Sequence, residues 1–301
     1  MSKQKARSLR GPKAPVIALL FCTCLAAAPV FAQLPAWRAT HPQHPGTLLL
    51  LGSIHLLRAD DHPLPDIVEE IYQQSDHVIF ELDLDDIAAA DVQSSFMGAA
   101  MLANGTSLED VLDPELFAQT RRQAEQLGVD IRLFSRFEPW FVATMLMSFG
   151  LSQLGYDQRF GIEQTVLAKA MRDGKEVSGI EELEAQVTVF DLLSDQDQTA
   201  FLAQTLTELQ QDDETMEQLV SAWRNGALEE LQDDLMQDFA DFPELYERLV
   251  IRRNTAWAET LEAYSARDET SAVIVGALHL VGTDSVIEML RERGYTVSPL
   301  R

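Results

Sequence analysis

Leu48-Leu49-Leu50-Leu51-Gly52-Ser53-Ile54-His55 stands near the start of the chain, and Ala272-Val273-Ile274-Val275-Gly276-Ala277-Leu278-His279 stands near its end. In both, an apolar run too short for a confident helix leads to a glycine and, three residues later, to a histidine. Such a run reads as a buried strand ending in a turn. Each imidazole then stands at the carboxyl end of its strand, where open α/β sheets place their chemistry, because the loops leaving that edge form a crevice. Histidines this far apart in sequence meet only through the fold.

Working outward, the strand at about 47–54 is followed by a loop, a helical pattern over Asp66 to Gln74, and the apolar run Val78 to Asp83. Strand, helix, strand favours a parallel pair, with Glu81 closing the second strand beside the first. Before this unit, Pro35, His41-Pro42, His44-Pro45 and Gly46 make residues 33–46 an irregular lead-in. Its histidines, with His62, read as surface residues rather than as a metal-binding tract. Helices are predicted over 86–103 and 114–127, the latter opened by Asp113-Pro114 and closed by Gly128, and Val129 to Phe134 reads as a strand. The methionine-rich apolar stretch Glu138 to Gly155 is short for a membrane span and reads as a buried helix. A helix over Gly161 to Arg172, a strand over 175–180 and a helix opening at 181–186 follow. Residues 195–266 then read as an acidic, all-helical insertion, whose charged outer face is a solvated surface. The last unit is a strand at 271–278, a helix over Asp284 to Arg293, and a strand from Tyr295 to Ser298. The class is α/β.

The first 32 residues have the three parts of a secretory signal. Lys3, Lys5, Arg7, Arg10 and Lys13 form a basic region, Val16 to Ala28 an apolar core, and Val30-Phe31-Ala32 a small-x-small exit. The expectation is cleavage after Ala32, a periplasmic or secreted mature chain over 33–301 forming a single α/β domain, and no membrane span after cleavage. Both cysteines, Cys22 and Cys24, fall inside the signal, so the mature chain has neither disulfides nor thiolate chemistry. It would carry 18 basic residues against 48 acidic ones, a net charge of −30. Nucleic acid and anionic lipid both need a basic footprint, which such a surface lacks.

His55, Glu81, Glu181 and His279 all lie at or just past the carboxyl end of a predicted strand. If those strands are parallel neighbours, two imidazoles and two carboxylates converge on one crevice, a donor set suited to a divalent metal and to metal-assisted hydrolysis. No HExxH helix or Cys-His knuckle fixes a metal site locally, and each residue taken singly also suits a capping or backbone-satisfying role. Arg253, on the helix before the last strand, serves either to stabilise an oxyanion or to form a buried ion pair. Glu163 and Glu184 are further acids close to the same edge.

The strings Leu-Leu-Gly-Ser-Ile-His (50–55), Val-Ile-Phe-Glu-Leu-Asp (78–83), Gly-Ile-Glu (161–163), Gly-Ile-Glu-Glu-Leu-Glu-Ala-Gln (179–186), Arg-Asn-Thr-Ala-Trp-Ala (253–258) and Val-Gly-Ala-Leu-His-Leu-Val-Gly (275–282) together closely resemble the TraB/GumN family. Their order and spacing span nearly all of the mature chain. The family is related to the Tiki proteins, metal-dependent proteases that clip the amino terminus of Wnt, and more distantly to erythromycin esterase-like hydrolases and a haem-binding lipoprotein family. The resemblance implies a mixed α/β sheet built from two similar halves with helical insertions. It also implies a site marked by both Gly-x-x-His motifs, with manganese or cobalt supporting activity. Carried over by position, it marks His55, Glu81, Glu181, Arg253 and His279; the expectation is that His55 and His279 are metal ligands, that Glu81 and Glu181 serve in catalysis as ligand or general base, and that catalytic Arg253 stabilises the transition state. Where the family often has Asp in the Gly-Ile-Asp motif, this chain has Glu163, whose carboxylate stands over a bond length further out.

The expected function is therefore an exported metal-dependent hydrolase acting on a peptide or small-molecule substrate. The alternative is a haem or small-ligand binding protein without catalysis.

Overall fold

The computed structural model describes residues 34–83, 89–103, 105–210, 214–237, 239 and 242–300. The expected signal, 1–32, lies outside them, as does the opening of the helix expected over 86–103. Strand β1 (Ala36–His41) turns through Pro42-Gln43 into β2 (His44–Ser53), and α1 (Asp66–Gln74) leads to β3 (His77–Phe80). Among the described residues five helices then intervene, α2 (Ala89–Ala99), α3 (Leu108–Val111), α4 (Pro114–Gln126), α5 (Pro139–Gln153) and α6 (Ile162–Asp173), before β4 (Glu176–Gly179), and α7 (Leu183–Asp191) follows it. The acidic stretch forms α8 (Asp195–Glu208), α9 (Glu214–Asn225), α10 (Leu228–Gln237), α11 (Pro243–Tyr246) and α12 (Arg253–Ser265). The chain ends with β5 (Thr270–Gly276), α13 (Val286–Glu292) and β6 (Thr296–Pro299).

The strands form one mixed sheet in the order β4-β3-β5-β2-β1-β6. The four strands β4, β3, β5 and β2 run parallel, and β1 opposes both of its neighbours. Leu48 to Leu51 of β2 and Ala272 to Val275 of β5 are at most 1% exposed on both faces of the pleat. Continuous apolar runs are what central parallel strands require, because helices cover both faces. Helix α12 packs on β2, and α1 packs on β2 and β5. A separate apolar cluster joins α4, α5 and α8 through Leu116, Val142, Leu146 and Leu202. Among the described residues no helix is long and apolar enough to cross a membrane.

Two local expectations are corrected. The lead-in contains β1, which pairs Ala36 with Leu51 and Trp37 with Pro299 and so covers the flank of β2. Pro35 precedes β1, Pro42 sits in the turn and Pro45 is the second residue of β2, at its start, so none interrupts β1. Residues 129–134 are not a strand. Asp130 accepts from the Arg132 N–H and caps a 3-10 turn over Ile131–Phe134, which buries Phe134 in the α4–α5–α8 cluster.

Candidate active site

Pairing in register sets Ser53 beside Gly276 and Phe80 beside Gly179, so four parallel strands end on one edge. The residues just beyond supply the side chains: His55 after β2, Glu81 after β3, Glu181 after β4 and His279 in the 3-10 turn Ala277–His279 after β5. Gly276 is confined to this spot by space. A Cβ there would lie 3.0 Å from His55 Nε2 and 3.3 Å from Glu81 Oε1.

Arg253 is the hub. A π-helical segment, Glu247–Arg252, leads into α12 and delivers this side chain to the strand ends; such wide turns are common where function reshapes a helix. Its five N–H groups all have acceptors. Nε donates to the Glu181 carboxylate at 3.1 Å, and Nη2 donates to Glu181 Oε1 at 2.6 Å and Glu81 Oε2 at 2.7 Å. Nη1 donates to the Leu249 carbonyl at 3.2 Å and to His279 Nε2 at 3.1 Å. Glu181 also accepts from the Trp257 indole at 2.9 Å, and Glu81 accepts from the Gly276 N–H at 2.8 Å and from Gln186 at 3.2 Å. Arg253 thus forms the buried ion pair that its position allowed. No hydrogen of the guanidinium is left for an oxyanion.

His55 forms a second cluster. Its Nδ1 lies 2.8 Å from Glu163 Oε1, and the Ser53 hydroxyl donates to the same oxygen. Its Nε2 faces Glu81 Oε1 across 3.8 Å, too far for a direct hydrogen bond. The His55 side chain is 55% exposed, against 13% for Glu81, 7% for Glu181 and 9% for Arg253.

The charges follow from these neighbours. The Glu163 carboxylate, aided by Glu81, raises His55 to about 9 against the opposing effects of its recessed position and of Arg253. Burial pushes His279 down to about 3, so this ring is neutral. Burial alone would raise Glu81, but the histidines, Arg253 and the Gly276 N–H reverse that and hold it at about 2. With His279 neutral, the positive charge that keeps Glu81 ionised is carried by His55 and Arg253. Burial likewise opposes ionisation of Glu163, and the charge of His55, with hydrogen bonds from His55 and Ser53, overcomes it.

Both imidazoles, Glu81 and Arg253 line one cavity of about 430 Å³. Its remaining walls are largely apolar and come from the helices: Leu151 of α5, Phe190 of α7, Met216 and Leu219 of α9 and Leu235 of α10. The indole N–H of Trp223 donates to the Gly52 carbonyl at 2.7 Å, tying α9 to the first Gly-x-x-His segment. The strand-end residues read from the sequence are brought together, and Glu163 joins them. Glu184 does not: it is exposed on α7, and Gln186, two residues on, faces the cavity instead. Ser53, Asn254 and Trp257 complete the network; they stand inside the strings 50–55 and 253–258 but are not among the expected site residues.

Manganese or cobalt at this edge would need several nitrogen and oxygen donors converging on one point. Among the described residues no three His, Asp or Glu side chains are so grouped. The lone pair of His279 Nε2 faces a guanidinium N–H, and both Glu181 oxygens are engaged by Arg253 and Trp257. The four strand-end residues as arranged do not fit a shared metal. His55 Nε2 and Glu81 Oε1 are the two donors left facing each other.

The chain is 30% identical over 242 residues to protein YbaP of Escherichia coli (strain K12), covering 80% of this chain and 87% of YbaP, with the same figures for YbaP of Shigella flexneri. It is 24% identical over 315 aligned positions to Metalloprotease TIKI2 of Danio rerio, covering 87% of this chain and 60% of TIKI2. No solved structure matches it. The sequence model described as the TraB/PrgY/gumN family matches residues 35–299, from the lead into β1 to the end of β6, and the chain belongs to that family.

Proposed function

We propose that the chain is an exported hydrolase acting on peptides, with His55 as the group that moves protons at the substrate. The observation that carries this reading is that His55 alone among the clustered charged groups is half open to the cavity, while Glu163 holds its far nitrogen at 2.8 Å. A histidine backed by a carboxylate in a cleft is the recurring arrangement of acid–base catalysis. At neutral pH His55 is an imidazolium, so its Nε2–H acts as the acid that protonates the leaving nitrogen. Glu81 Oε1, 3.8 Å from Nε2, takes the proton of a water on the cavity side as that water adds to the scissile carbonyl carbon, while the C–N bond breaks and the amine leaves with the His55 proton. Arg253, itself fixed by Glu181, holds Glu81 ionised and in place rather than touching substrate. The apolar walls suit a hydrophobic side chain beside the scissile bond. The peptide class is supported by the distant likeness to a protein named a metalloprotease, and export by the signal pattern of residues 1–32.

The test offers a mixed peptide library to the chain purified in chelator and reads cleavage by mass spectrometry. Expected is cleavage that His55→Gln lowers by about 10² to 10⁴-fold and that declines as pH rises through about 9. No cleavage of any peptide, or full activity in His55→Gln, overturns the reading.

A metal-assisted form of the same hydrolysis is a second reading. It is favoured by the pairing of His55 Nδ1 with Glu163, because metal-bound histidines are backed by carboxylates in this way. Activity absent in chelator and restored by manganese or cobalt would select it.

A further inference from the structure

The two Gly-x-x-His motifs look equivalent in sequence, yet their histidines have opposite surroundings. His55 is half open to the cavity, whereas His279 is 4% exposed and has a partner on each nitrogen. The partners determine where its proton sits. Asn254 Nδ2 donates to the Asp284 carbonyl at 2.7 Å, which can only accept, so the orientation of the Asn254 amide is fixed. Its Oδ1 therefore faces His279 Nδ1, at 2.6 Å. That oxygen also only accepts, so Nδ1 carries the hydrogen. A neutral imidazole has one N–H, which leaves Nε2 with its lone pair toward Arg253 Nη1, at 3.1 Å. A proton or a metal ion on Nε2 would set positive charge against the guanidinium and remove one of its five acceptors.

We propose that His279 and Asn254 are positioning residues for Arg253: Asn254 fixes the Nδ1–H tautomer of His279, and His279 Nε2 then accepts from the guanidinium instead of ligating a metal. Trp257 supports the arrangement from one side. Its ring centroid lies 4.3 Å from that of His279 and 4.6 Å from Arg253 Cζ. The second Gly-x-x-His motif is thus scaffolding for the carboxylate that the first motif faces. The effect on rate rests on the hydrolase reading above; the tautomer does not.

The test is nitrogen NMR at pH 7 on the full chain labelled at its six histidines, with the His279 signals identified by their loss in His279→Gln. Expected is a neutral ring protonated on Nδ1 with a bare Nε2. A ring protonated on Nε2, or on both nitrogens, overturns the inference. On peptide cleavage, His279→Gln, whose side-chain oxygen can accept from Arg253, is expected to keep kcat within about tenfold of the parent. His279→Leu, with no acceptor, is expected to lose about 100-fold in kcat with little change in KM. Equal losses in the two variants overturn the positioning role. If no peptide is cleaved by the parent chain, the hydrolase reading fails while the NMR result still decides the tautomer.

Discussion

The extra methylene of Glu163 lets a carboxylate on α6 reach His55 and share one oxygen with Ser53. Removing that negative charge removes the main cause of the raised His55 pKa. Glu163→Gln is expected to bring His55 from about 9 back toward the ordinary value near 6.5, read by proton NMR titration, and to move the alkaline limb of peptide cleavage down with it. An unchanged His55 titration would show that Glu163 does not set its charge. At this scale the sequence was legible where a motif repeated and opaque where helix phase decided. The two histidines and Glu81 followed from strand ends. Glu184 and Gln186 are separated by two residues, or about 200° around a helix, and only the true start of α7 tells which faces inward. Asn254 and Trp257 were unreadable for a related reason. Both stand in the string 253–258, but their roles arise from how α12 lies against the β5 edge, which the string does not encode.

Among the elements, the parallel strands and the capped helices were the readable ones. The helix expected over Asp66 to Gln74 is α1 with those ends, and α4 begins after Asp113, whose side chain accepts from the Glu115 and Leu116 N–H groups. The unread elements are set by contacts the sequence pattern does not show: β1 exists because β2 and β6 flank it, and residues 131–134 are a 3-10 turn capped by Asp130 that buries Phe134 among helices. The close end of β5 gives a prediction of its own. In Gly276→Ala the new methyl presses on His55 Nε2 and Glu81 Oε1, outside the apolar core. The expected outcome is a stability loss of about 1–3 kcal/mol in urea denaturation together with a disproportionate fall in cleavage, about 100-fold or more. Parental activity in a folded Gly276→Ala chain would argue that the spacing of these groups does not matter.

Across the whole molecule the titrating groups set a pH profile for folding. Between about 9 and 6.5 the folded chain binds a proton on His55 that the unfolded chain does not, so stability rises as pH falls through that window. The contribution is softened because the ring is half open to water. Below 6.5 the unfolded chain protonates His279 while the folded one refuses until about 3, and buried His77 behaves in the same direction. Further down, the unfolded chain protonates Glu81 between its ordinary range and about 2. Stability is therefore expected to peak near pH 6.5 and to fall on the acid side by up to about 1.4 kcal/mol per pH unit per proton, measured by urea titrations at fixed pH. A maximum above pH 8 would contradict the assigned charges.

The register that aligns β2 with β5 joins Thr47 to Thr270, early and late parts of the polypeptide. Pairings between such remote segments form slowly, because a long loop must close before any contact rewards it. The central sheet cannot assemble until nearly the whole chain has left the ribosome, and the strand-end side chains His55, Glu81 and His279 therefore come together last.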